Sequence, residues 1–296
     1  MASKLFNPNG NYLLEHLNET HILAESVSIL REAYKERMPK GETIRILGSK
    51  VLADDAYELA MYRLNQGYYY AAGSILEELE KAKYPRAFLA MANLCRQGLG
   101  VEVDMEQAEK LEQKAFSIWK DRASAGDTEA MFETGVCYRH GEGVPQDDTK
   151  AVEYYTLAYE KGCSEAALNL GIMYTEGLGV EQNYSKAYEY YSAAADNGIA
   201  DGFTLMGRQH YYGLGRDVNY EKAVELFLKA AEKEEGDALY HLGRCFVQGN
   251  GVEKDIDKAI EFFYRSADAG TKEAIDVLQS NGLPYPLEDN IEEEEE

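Results

Sequence analysis

From residue 129 onward, apolar and small residues recur in a fixed order every 36 residues. The unit starting at Glu129 carries Ala130, Thr134, Gly135 and Tyr138 in its first half. The next three carry Ala166, Leu170, Gly171 and Tyr174; Gly202, Met206, Gly207 and His210; and Ala238, Leu242, Gly243 and Phe246. Spacings of three and four put these residues on one helix face. Glycine in a helix interior costs about 1 kcal/mol against alanine. A glycine recurring there predicts a close helix–helix crossing where no side chain fits.

The second half of each unit opens on an Asp or Asn: Asp104, Asp147, Asn183, Asn219, Asp255. These side chains accept hydrogen bonds from the unpaired amides of a first helical turn, so a second helix is predicted to start there. It carries Ala151, Ala187, Ala223 and Ala259, each followed four residues on by Tyr155, Tyr191, Phe227 and Phe263. Small then aromatic at one-turn spacing reads as a packing knob beside a gap. Glycine pairs at 141/143, 177/179, 213/215 and 249/251 make the turn inside each unit, and Gly126, Gly162, Gly198 and Gly270 end the second helices. Glu234 stands where the fifth of these glycines is expected, so that turn must close differently, with Gly236 as the candidate. Further back, Ala92, Gly98, Gly100 and Ala108 fit the pattern, but 43 residues separate this glycine pair from the next. The extra seven, around Phe116–Arg122, read as about two more helical turns and hold the single tryptophan, Trp119.

A period of this length marks units that cannot bury an apolar face alone and must stack. The pattern resembles the Sel-1-like repeat family, relatives of the tetratricopeptide repeats, from about Arg86 to Gly282, with five units and a closing half-unit, Thr271–Ser280. The resemblance implies an all-α fold: α/α hairpins wound into a right-handed superhelical solenoid that serves as an adaptor or scaffold. It implies no single shared activity. The expected organisation is a tetratricopeptide-like helical cap over residues 1–85, repeats over 86–282 and an acidic disordered tail over 283–296. Within the cap, helices are expected over Leu13–Tyr34, Ile44–Leu64 and Tyr68–Lys83, with breaks at Pro39–Gly41 and Tyr84-Pro85. A separate small helical domain for a specific partner is the other reading of this segment.

The net charge of −23, from 53 acidic and 30 basic residues, repels nucleic acid and anionic membrane surfaces. It favours basic partners, or serves solubility alone. Glu288, Asp289 and Glu292–Glu296 supply seven of the negative charges, as a solubilising end or as a docking tail for a basic protein. No run of about 18 apolar residues is present, so no membrane span is expected. The first residues lack a basic stretch followed by an apolar core, so a cytoplasmic location is expected. Cys95, Cys137, Cys163 and Cys245 show no regular pairing, and free buried thiols are expected. The triplets at Asn18 and Asn183 match a glycosylation acceptor but carry no weight without a secretion signal.

Catalytic patterns are missing. His16, His21, His140, His210 and His241 form no metal-ligand spacing, and no nucleophile elbow or phosphate loop occurs. His210 takes the place of a packing aromatic. No cofactor and no metal are expected, and the chain reads as a non-enzymatic interaction module for an unidentified protein or peptide. A self-associating structural subunit is the alternative, and an enzyme or its regulatory subunit the remaining one. In related helical-hairpin stacks the first helix of each unit lines the concave face. Carried over, this turns Arg96, Arg139, Arg208, Tyr211, Tyr240 and Arg244 inward as a partner-binding set. Arginine holds a carboxylate with two parallel bonds, and tyrosine offers contact area at little entropy cost. The competing reading pairs these arginines with the acid that opens each unit: Glu129, Glu165, Asp201 or Asp237.

Overall fold

The computed structural model describes residues 43–46 and 49–285, with side chains from Leu52 on. The expected helix over Leu13–Tyr34, the break at Pro39–Gly41 and the acidic tail from Glu288 lie outside the described residues. The chain divides into two compact units, Met1–Asp147 and Asp148–Glu296.

The first unit opens with an antiparallel hairpin of β1 (Thr43–Ile46) and β2 (Ser49–Leu52), in register Thr43 to Leu52 and Ile46 to Ser49. Helix α1 (Ala53–Asn65) follows, so the helix expected over Ile44–Leu64 is correct only in its second part. The reason lies in the residue types. Thr43, Ile44, Ile46 and Val51 are β-branched, Ile44 and Ile46 alternate with Arg45, and Gly48 lies between the strands in sequence. Period two with a glycine in a two-residue connection favours a hairpin over a helix face.

Then come α2 (Tyr69–Lys81), α3 (Pro85–Gln97), α4 (Met105–Ser124) and α5 (Thr128–His140). Pro85 sits in the first turn of α3, where its missing N–H leaves nothing unpaired. The extension expected around Trp119 is helical: α4 has 20 residues, against 13 in the second helices α8 and α12. It buries Trp119, with the Arg122 guanidinium 5.2 Å from the ring centre.

The second unit is α6 (Asp148–Glu160), α7 (Ser164–Glu176), α8 (Tyr184–Asp196), α9 (Ala200–Tyr212), α10 (Tyr220–Ala231), α11 (Gly236–Gln248), α12 (Ile256–Asp268) and α13 (Lys272–Ser280). Helices α7/α8, α9/α10 and α11/α12 form successive hairpins, and α13 is an unpaired half-unit. The expected caps are in place. Asn183, Asn219 and Asp255 accept from the amides of Lys186, Lys222 and Lys258 at 2.9, 2.8 and 3.0 Å, and in the first unit Asp104 accepts from Gln107 at 2.8 Å. The core is small–aromatic. Ala187, Ala223 and Ala259 are buried, as are Tyr191, Phe227 and Phe263.

Two glycine features position the helices. The second member of each pair lies against the preceding unit's second helix: Gly179 faces the main chain of Asp148–Thr149, and Gly251 that of Tyr220–Glu221. A side chain there would collide with backbone that cannot move aside. The other feature is a departure. Gly236 does not close the turn that lacks a glycine. Glu234 itself takes the left-handed conformation at φ 53°, as Gly198 and Gly270 do at 92° and 90°. Its carboxylate receives Arg265 Nη2 at 2.8 Å and Nε at 3.3 Å, which braces the strained residue.

Candidate partner-binding surface

Helices α9 and α11 are first helices of consecutive units, so residues 36 apart occupy the same place. Arg208 and Arg244 are such a pair. Arg208 is exposed and makes no hydrogen bond or ion pair among the described residues. Arg244 is half-buried. Its Nη1 donates to the Tyr212 hydroxyl at 2.8 Å, and its guanidinium lies 5.5 Å from the Tyr211 ring centre and 5.7 Å from that of Tyr240. It too has no carboxylate partner among the described residues. The aromatic floor orients the guanidinium by cation–π attraction and leaves most of its N–H donors free.

Between the two arginines lies His241. It is buried, stacked on Phe227 with ring centres 5.0 Å apart, and edged by Tyr240 at 5.6 Å. Its Nδ1 has no partner. Burial first, then the positive fields of Arg208 and Arg244, push its pKa down to about 3. The imidazole is therefore neutral, and the two guanidinium groups whose fields reach it pair with no carboxylate among the described residues. Such an arrangement attracts a carboxylate or another oxyanion.

Of the expected set, Tyr240 and Arg244 touch, and Arg208 stands at the place of Arg244 one unit earlier. Tyr211 is a core residue: it is buried, and its hydroxyl donates to Gln248 Oε1 at 2.9 Å and accepts from Asn250 Nδ2 at 3.2 Å. Arg96, in the first unit, is held by a two-bond pair with buried Glu112, Nη1–Oε1 2.5 Å and Nη2–Oε2 2.8 Å. Glu112 stands four residues after Ala108, in the slot other units fill with an aromatic ring, so Arg96 neutralises a buried acid. Arg139 is half-buried in the last turn of α5. The competing pairing with unit-opening acids does not hold for Glu129, which pairs with Arg86 at 2.9 Å. His210 packs as expected, edge-on to Tyr188 with ring centres 5.7 Å apart. The sequence marks Tyr212, with Tyr211 and Tyr240, as a tyrosine that repeat packing does not explain, but it does not single out His241. The 36-residue comparison could find it, since an imidazole at this place has no counterpart one unit later, where Val277 stands.

All four cysteines are free thiols; Cys95, Cys137 and Cys245 are buried and Cys163 is half-buried. Among the described residues no helix is long and apolar enough to cross a membrane, and no cluster of His, Cys, Asp and Glu is placed to hold a metal.

Tandem α/α hairpins with tight glycine-pair turns and a side-chain cluster across consecutive first helices define an α-helical repeat protein. The chain belongs to the Sel1 repeat family: the family pattern matches residues 88–117, 128–163, 164–199, 204–234 and 236–271. Sel1 repeat proteins are in general protein-interaction modules. Among solved structures, the chain is similar to a Sel1 repeat protein from Oxalobacter formigenes, at 28% identity over 76% of this chain and 87% of that one, TM-score 0.53. It is also similar to c5321, a protective antigen of uropathogenic Escherichia coli with an SLR fold, at 26% identity, TM-score 0.51. There it covers 86% of this chain and 52% of that protein. The immunity protein Pa5087 of Pseudomonas aeruginosa shares the fold at 19% identity, over 84% of this chain and 92% of that one, TM-score 0.52. No curated protein sequence matches the chain.

Proposed function

We propose that this protein acts by binding rather than by chemistry, as an adaptor or scaffold that holds a protein or peptide on the surface formed by α9 and α11. Arg208, Tyr240 and Arg244 are its contact residues in the second unit. The observation that carries this reading is the Arg208–Arg244 pair. In a chain with 53 acidic and 30 basic residues, two neighbouring arginines one unit apart have no acid of their own among the described residues. Solenoid packing explains the residues that recur in every unit, but it requires no charge at these positions. A desolvated arginine contact can dominate an interface.

The test is capture of partners from the native lysate by immobilised wild type and by a variant carrying Arg208→Glu and Arg244→Glu, with circular dichroism to confirm equal folding. The expected result is a specific protein retained by wild type and lost by the variant. Equal retention by both would overturn the assignment of the surface.

A further inference from the structure

The last full unit departs from the one before it at two core places. In the earlier unit the buried Tyr211 ring lies 5.3 Å from Tyr220, 6.4 Å from Phe227 and 6.1 Å from His241, and His241 stacks on Phe227. Thirty-six residues later the corresponding residues are Val247, Ile256, Phe263 and Val277. The ring at the base, Phe263, is kept. The two rings that close over its counterpart are replaced by valines. The space they would fill is open, as a cleft of about 410 Å³ between α11, α12 and α13. Its apolar wall includes Val247, Ile256, Phe263, Val277 and Leu283, and Tyr240 and Arg244 also line it. Val247 and Ile256 are 38% and 46% exposed. The volume falls within the roughly 300–1,000 Å³ of ligand sites.

We infer that this cleft receives one aromatic side chain of a bound peptide, next to an acidic group held by Arg244. The inference rests on the reading of α9 and α11 as a peptide-binding surface, and it adds the chemistry of the peptide. The preceding unit supplies the template, because there the chain fills the same place with its own tyrosine and histidine rings. Aromatic anchors that fill apolar pockets carry much of the binding energy in protein interfaces. Charge selects the neighbouring group. Arg244 gives one N–H to Tyr212 and pairs with no carboxylate among the described residues, so an acid adjacent to the aromatic residue completes its bonding. A basic peptide would oppose Arg244.

The experiment uses the full chain with methyl-labelled Val, Ile and Leu, observed by NMR. The probe is N-acetyl-phenylalanyl-glutamate amide, compared with its alanyl-glutamate and phenylalanyl-glutamine analogues. Saturable shifts are expected at the Val247, Ile256, Val277 and Leu283 methyls, with each analogue binding at least about fivefold more weakly. A variant carrying Val247→Tyr and Val277→His restores the preceding unit's rings and is expected to lose the probe. Equal binding of the phenylalanyl and alanyl probes overturns the inference without any variant having to fold. Failure of the two readings is separable, because Arg208 lies outside the cleft. If Arg208→Glu releases a captured partner while the refilled cleft retains it, the cleft assignment is wrong and the surface stands. If the refilled cleft loses both probe and partner while Arg208→Glu retains them, the cleft stands and Arg208 leaves the surface.

Discussion

The ring of Phe227 occupies the space that a side chain at residue 207 would need. A Cβ on Gly207 would lie 2.6 Å from Phe227 Cε1, and one on Gly243 would lie 2.7 Å from Phe263 Cε1. Each glycine accepts the aromatic knob that its own hairpin carries 20 residues later. Replacing Gly207 or Gly243 by alanine sets a helix-propensity gain of about 1 kcal/mol against overpacking of about 1–3 kcal/mol. Net destabilisation of up to about 2 kcal/mol is expected in urea unfolding, and Phe227→Leu should relieve it in the Gly207→Ala background.

The buried imidazole of His241 gives the fold an acid-sensitive term. Its pKa is about 3 in the folded protein and about 6.5 in an unfolded chain. Between these values the unfolded chain binds a proton that the folded one does not. The stability is complete above about pH 6.5 and is lost as pH falls toward 3, reaching about 2 kcal/mol of loss at pH 5. His241→Phe removes this titration. The stability of the variant relative to wild type should therefore rise by about 2 kcal/mol between pH 7.5 and pH 5, measured by urea unfolding at each pH.

The arginines separate by what they touch. Arg96→Ala leaves the buried Glu112 carboxylate without its two bonds and should cost about 1–3 kcal/mol. Arg208→Ala removes an exposed side chain with no partner among the described residues and should stay within about 0.5 kcal/mol. Thermal unfolding of the two variants side by side checks this, and equal effects would contradict it.

The thiols should react in order of access. Burial pushes Cys137 up to about 12 and Cys245 up to about 11, so both are protonated as well as shielded. Half-buried Cys163 should react first with a thiol reagent at pH 8. Cys95, Cys137 and Cys245 should follow only as the protein unfolds. Cys163→Ser should remove the fast phase.

What the sequence disclosed depended on repetition. Gly207 and Gly243 were legible because a glycine inside a helix is costly unless something needs the room, and it recurred in phase. The cap residues Asn183, Asn219 and Asp255 were legible for the same reason. Residues that break the pattern were harder. Glu112 replaces an aromatic knob, so its position is buried and demands a cation, and Arg96 answers that demand. Tyr211 looked available because it has no recurring counterpart, yet its ring fills a gap specific to its own unit. Glu234 keeps the left-handed turn that glycine makes elsewhere, because Arg265 holds its side chain. Outside the repeats, Ile44–Leu52 has no second copy for comparison, and its β-branched residues fit a helix face as well as a strand.

The second glycine of each intra-unit turn packs on the preceding unit's second helix, on peptide backbone at Gly179 and Gly251 and on the Tyr184 side chain at Gly215. Where the contact is backbone, the joint is blind to the side chains of its neighbours. A unit copied in frame, 36 residues inserted between two hairpins, meets there the same main chain as the original did. Selection on recognition and selection on assembly then act on different atoms, so the length of the array and the chemistry it displays can evolve independently.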